Sequence, residues 1–179
     1  MTFDEKTLDS EYIYKGAILN LRKDKVSTIN GESYREIVEH SGGAAIGVLT
    51  EEGNMVMVRQ YRKPFDKVVL EVPAGKRDGD ETFENVAIRE LKEETGYTPG
   101  RIEDLGAMMT SPGFTNEVLH LYLATDLTKG ETDFDDNEAI DICEYPLDEL
   151  VEMVMTGEIE DAKSQIVILK VAELVRRRM

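Results

Sequence analysis

Three glutamates, Glu90, Glu93 and Glu94, stand at i, i+3 and i+4 in a stretch with helical spacing, so they share one face of a helix. Carboxylates crowded on one face repel each other. A hard divalent cation relieves that repulsion, and carboxylate oxygens are the ligands Mg²⁺ prefers. The same spacing also suits a solvated, salt-bridged helix: Arg89 and Glu93 form an i,i+4 pair, and Lys92 is at hand. The glutamate spacing alone leaves both readings open.

The surrounding elements narrow the choice. Residues 82–95 carry apolar positions at Phe83, Val86, Ala87, Ile88 and Leu91, and Gly96 is a natural helix stop. Ile88 and Leu91 are expected to hold this helix on the core. Residues 75–80 read as a polar loop before it. Strands are expected across 11–40, with 26–29, Asn30-Gly31 and 34–38 forming a hairpin. Further strands are expected at 44–49, 55–61, 68–72, 102–109, 120–124 and 140–145, and helices at 147–155 and 162–177. Residues 128–137 form a polar, acidic connection. Interleaved strands and helices without a repeat indicate an α/β (α+β) domain built on a mixed sheet. Residues 1–41 are marked off as a small N-terminal sheet region, and 42–179 as the main domain.

Composition sets outer limits. The chain has 179 residues, 41% of them hydrophobic, which supports a packed core. The formal net charge of −16 argues against nucleic acid as a partner. No apolar run approaches the roughly 20 residues of a membrane span. The first residues are acidic and lack an apolar signal region, so a soluble, cytoplasmic protein is expected. The single cysteine, Cys143, cannot form an internal disulfide and reads as a small residue in a strand.

The glutamates belong to a longer pattern. Residues 75–97 resemble the Nudix box, Gly-x5-Glu-x7-Arg-Glu-U-x-Glu-Glu-x-Gly-U, with U a bulky apolar residue. Gly75, Glu81, Arg89, Glu90, Leu91, Glu93, Glu94 and Gly96 match in register, and Tyr97 puts an aromatic where an aliphatic is usual. The resemblance implies a Nudix fold, a mixed sheet sandwiched between helices, with a small N-terminal antiparallel sheet. It also implies metal-assisted attack of water on a diphosphate, with Mg²⁺ (or Mn²⁺) as cofactor. By that resemblance Glu90, Glu93 and Glu94 hold the ion together with the backbone carbonyl of Ala74. Arg89 orients the carboxylates through Glu81 or Glu93.

Features outside the box resemble the ADP-ribose pyrophosphatase branch, particularly bacterial members. Pro112, in Ser111-Pro112-Gly113, follows Gly96 by sixteen residues. The resemblance makes Gly113 and Glu117 candidates for contacting substrate, with Glu117 on the terminal ribose. It makes Glu138, in the acidic stretch 133–141, the base or aligner of the attacking water. Arg62, in Gln60-Tyr61-Arg62, resembles a diphosphate contact, since a guanidinium can hold two phosphate oxygens at once. Arg35 is a second candidate phosphate or adenine-ribose contact. The 160–164 segment and the N-terminal hairpin also resemble this branch, in which the N-terminal sheet contributes to a homodimer. The expected reaction is hydrolysis of ADP-ribose to AMP and ribose 5-phosphate. The alternatives are hydrolysis of another nucleoside diphosphate derivative, such as a nucleotide sugar or oxidised nucleotide, and ligand sensing without cleavage.

Overall fold

The structure, a computed structural model, describes residues 4–134 and 139–178. Its contacts divide the chain into two units: one takes the residues up to Gly42 together with Met109–Val118, the other Gly43–Met108 and the residues from Leu119 onward.

In the first unit, β1 (Lys6–Lys15), β2 (Leu19–Thr28) and β3 (Gly31–His40) form an antiparallel sheet in that order. The β2–β3 hairpin closes with Thr28 opposite Gly31, so Ile29 and Asn30 form its loop. The loop thus lies one residue before the Asn30-Gly31 turn expected from the sequence. Gly31 alone takes a positive φ, 117°, and so closes the ladder while Asn30 makes the turn. Residues 111–117 pack with this sheet. Val38 donates its N–H to Phe114 O (2.7 Å) and accepts from Asn116 N–H (3.2 Å).

In the second unit, β4 (Gly43–Leu49) lies near the middle of a mixed sheet of order β10-β5-β4-β9-β8. The other strands are β5 (Asn54–Arg62), β8 (Tyr97–Met109), β9 (Val118–Lys129) and β10 (Ile140–Pro146). Two short strands attach to it: β6 (Lys67–Glu71) on β5, and β7 (Ala74–Lys76) on β4. The strand β7 lies where a polar loop was expected; its pairing to β4 is decided by tertiary contact, not by local pattern. β4 pairs parallel with β9 and is buried on both faces, which explains its unbroken apolar run.

Alternation along β4 sorts the core into two layers. Ala44, Ile46 and Val48 pack against Val86, Ala87 and Leu91 of α1 (Phe83–Thr95). Ala45 points to the opposite face, where Val167, Ile168 and Val171 of α3 (Ala162–Arg178) and Leu147 and Leu150 of α2 (Leu147–Thr156) are buried. The sheet is therefore sandwiched between helices. Leu91 is fully buried as expected, but Ile88 is only partly so, because the packed face runs through 86, 87, 91, 94 and 95. Thr82 caps α1 by accepting the Asn85 N–H, and Gly96 ends it at φ 76°, a left-handed conformation that glycine adopts without strain. No helix among the described residues is long and apolar enough to cross a membrane.

Candidate active site

Helix α1 and strand β7 bring the box residues together. Ile46 donates its N–H to Pro73 O at 2.9 Å, which makes Ala45 and Ala74 a non-hydrogen-bonded pair. The N–H and C=O of Ala74 therefore face away from β4. The N–H is taken by Glu94 Oε2 at 3.1 Å, and Glu94 is only 3% exposed. One turn earlier on the helix, Glu90 lies against the next residue. A Cβ at position 75 would fall 1.7 Å from Glu90 Oε1, so only glycine admits that carboxylate. Two carboxylates from one helical turn thus converge on the Ala74-Gly75 backbone.

Arg89 organises the others. Its Nε and Nη2 reach the two oxygens of Glu81 (3.1 and 3.2 Å), and its Nη1 reaches Glu90 (2.7 Å) and Glu93 (2.9 Å). Nη2 also donates to Lys76 O at 3.2 Å. Burial works against the Arg89 charge, but Glu81, Glu90 and Glu93 outweigh it and hold the guanidinium well above its usual range. Arg89 in turn holds the Glu81 carboxyl below its ordinary value. The expected pairing with Glu81 or Glu93 is thus extended to Glu90. Glu81, Ile88, Arg89 and Glu93 line one side of an open cleft of about 460 Å³, together with Asp133. Asp133 is tied there by its N–H to Glu93 O at 3.0 Å.

Among the described residues, no three acidic, His or Cys side chains form a ready-made cation cage. Arg89 engages oxygens of Glu90 and Glu93, and Glu94 engages the Ala74 N–H. The donors nonetheless fit a hard cation. Glu90 and Glu94 approach the same two-residue backbone, whose Ala74 carbonyl points out of the ladder, and every candidate ligand atom is oxygen.

A second charged cluster lies in the same unit. Arg62 grips Glu71 with Nε and Nη2, both at 2.7 Å, and Lys163 Nζ meets the same carboxylate at 2.5 Å. Glu71 is 2% exposed. Burial pushes its pKa up, but Arg62 and Lys163 outweigh that and hold it below the ordinary 4.5. Glu71, and to a lesser degree the Glu94 charge, favours the protonated form of Arg62 against the effect of burial. Arg62, Glu71 and Lys163 line a cavity of about 420 Å³ with Phe65, Lys67 and Glu160. The Glu71–Lys163 pair was not anticipated from the sequence. Its one signal was an acid in the otherwise apolar strand Val68-Val69-Leu70-Glu71-Val72.

The remaining candidates belong to the first unit or lie outside the described residues. Arg35 is paired there with Glu5 (Nε to Oε2, 2.9 Å). Glu117 accepts from Thr110 Oγ1 at 2.8 Å and lies 3.2 Å from His40 Nδ1. Gly113 occupies a turn in which an added Cβ would meet nothing within 4 Å, so packing within the chain does not demand glycine. Glu138 lies outside the described residues.

Acid stability tests the buried cluster. Because the Glu71 pKa is lowered on folding, its contribution is complete above its ordinary 4.5 and is lost as the pH falls through the folded value. Urea midpoints taken from about pH 6 to about pH 3 should fall for the wild type, and should fall less steeply for Glu71→Gln.

Comparison with known proteins agrees with this geometry. The profile described as "NUDIX domain" matches residues 40–166, and that described as "Nucleoside diphosphate sugar hydrolase N-terminal domain" matches 5–44. The chain is 43% identical to "Methanol dehydrogenase activator" of Bacillus methanolicus over 169 residues, covering 93% of this chain and 91% of that protein. It is 38% identical to "ADP-ribose pyrophosphatase" of Bacillus subtilis (strain 168) over 170 residues, covering 93% and 92%. A solved structure titled "Crystal structure of ADP compounds hydrolase" shares the fold with a TM-score of 0.85 at 18% identity, covering 97% of this chain and 95% of that one. With a turn of carboxylates set on the Ala74-Gly75 strand and the Nudix profile spanning most of its length, this chain belongs to the Nudix family.

Proposed function

We propose that the protein hydrolyses the diphosphate linkage of ADP-ribose, releasing AMP and ribose 5-phosphate, with a divalent cation, Mg²⁺ or Mn²⁺, as cofactor. The observation that carries the reading is the convergence of Glu90 and Glu94 on the Ala74-Gly75 backbone. The printed activity of the Bacillus subtilis relative, aligned over nearly the full length, supplies the substrate.

In this reading Glu90, Glu94 and the Ala74 carbonyl hold the ion, with Glu93 a further oxygen donor beside Glu90. A bound divalent cation lowers the pKa of water and neutralises charge on the phosphoryl oxygens. The protein's own groups do the rest. Arg89 offsets the mutual repulsion of Glu81, Glu90 and Glu93 and keeps them oriented. Arg62 contacts the diphosphate. Arg35, Gly113 and Glu117 contact the remainder of the substrate. Glu138 takes the proton from the attacking water or aligns it.

A homodimer in the cytoplasm is part of the proposal. Support for a second copy comes from the first sheet, whose Leu8, Tyr12, Ile13, Tyr14 and Tyr34 are large, apolar and exposed. A mass from light scattering equal to that of one chain would exclude the dimer. The profile named for nucleoside diphosphate sugar hydrolases favours a second reading, a nucleotide sugar as substrate.

A hydrolysis panel with Mg²⁺ separates the two: ADP-ribose should turn over with a higher kcat/KM than nucleotide sugars, and the reverse order replaces the first reading with the second. Glu94→Gln keeps an acceptor for the Ala74 N–H and should abolish turnover with the fold intact; retained activity would remove Glu94 from the metal site. Glu138→Gln should lower kcat by roughly 10²–10⁴-fold, and an unchanged kcat removes Glu138 from the reaction.

A further inference from the structure

We propose that Lys163 is a positioning residue for the reaction: through Glu71 it fixes the plane of Arg62, the diphosphate contact, and it keeps the cluster around Arg62 from carrying a net negative charge. The inference rests on the proposed role of Arg62 and extends it to a residue 101 positions away, on the first turn of α3.

The geometry runs outward from the buried carboxylate. Arg62 meets Glu71 with the Nε–Nη2 edge of its guanidinium, both contacts at 2.7 Å. A bidentate grip of this kind makes the guanidinium coplanar with the carboxylate and leaves the other edge for a phosphate oxygen. The orientation of Arg62 is then only as well defined as that of Glu71. Lys163 defines it: Nζ binds Glu71 Oε2 at 2.5 Å and Asp161 Oδ2 at 3.0 Å. Asp161 is itself anchored by Ser164, whose N–H (3.0 Å) and Oγ (2.5 Å) both donate to Oδ2. Ser164 Oγ also accepts the Val72 N–H at 2.8 Å, two residues before Ala74. One helical turn therefore braces both the Arg62 partner and the strand leading to Ala74.

Charge gives Lys163 a second effect. Arg62, Lys163, Glu71 and Asp161 sum to zero. Without Lys163 the cluster carries a net negative charge, in a chain already at −16, where a diphosphate must approach. A buried carboxylate with one cation instead of two also draws the field of Arg62 inward, away from substrate.

The test is a cycle of kcat and KM for ADP-ribose with Mg²⁺. Lys163→Met should raise KM roughly tenfold, the scale of one charge-assisted hydrogen bond, and leave kcat near wild type. Lys163→Arg should recover most of the loss. In an Arg62→Met background, Lys163→Met should add almost nothing to KM, because its effect passes through Arg62; a merely structural lysine would lower thermal stability without this coupling. Should Lys163→Met leave a chain that does not fold, Lys163→Gln keeps a hydrogen-bond donor without the charge and takes its place in the cycle; a raised KM there that is absent in the Arg62→Met background supports the proposal, and a wild-type KM there overturns it. A wild-type KM in Lys163→Met, beside a raised KM in Arg62→Met, overturns it. So does a KM rise of equal size with and without Arg62. A wild-type KM in Arg62→Met overturns the assignment of Arg62 itself, and the proposal with it.

Discussion

The contact between the Glu94 carboxylate and the Ala74 N–H is where helix and sheet become a site. A carboxylate so deeply buried is costly unless hydrogen-bonded, and here the partner is a backbone amide that the β4–β7 ladder turns outward. Seating α1 on Ala44, Ile46 and Val48 sets the height of Glu94 over that amide. Once Glu94 is seated, Glu90 falls one turn away, against Gly75, where the missing Cβ leaves room for its carboxylate. The packing of the apolar face and the placing of the acidic face are thus a single constraint.

The same chain solves a charge problem in two different ways. Around Arg89, three carboxylates share one guanidinium near solvent, so the acids outnumber the cation and remain able to accept another positive partner. Around Glu71 two cations share one deeply buried carboxylate, and Asp161 on Lys163 brings the cluster to neutrality. An acidic protein that handles an anionic substrate needs both arrangements, one with acids in excess to attract a cation and one whose acids are fully offset where an anion approaches.

Local periodicity explains which parts were legible in the sequence. Glu81, Arg89, Glu90, Glu93 and Glu94 are joined by one helix and its entry loop, so their spacing carries their geometry, and the Thr82 and Gly96 caps mark its ends. The apolar runs of β4 and β5 likewise announce buried strands. The short strand β7 is not legible in the sequence because three residues carry no period of their own. Glu71 and Lys163 stand 92 positions apart, and nothing in either local pattern points to the other. The hairpin register slipped by one because Asn30-Gly31 suits a turn locally, whereas the Thr28–Gly31 pairing is set along the full length of β2 and β3.

The first unit has a consequence for how the protein is made. Its sheet is encoded within the first 42 residues, but the N–H and C=O of Val38 find Phe114 and Asn116, more than seventy residues downstream. On the ribosome, strand β3 therefore emerges with those groups hydrated and waits for much of the second unit, including α1, to be synthesised before its partners arrive. Regions synthesised earlier commonly fold first during translation. Here a region synthesised ahead of the second unit is completed only after the chain has passed residue 118.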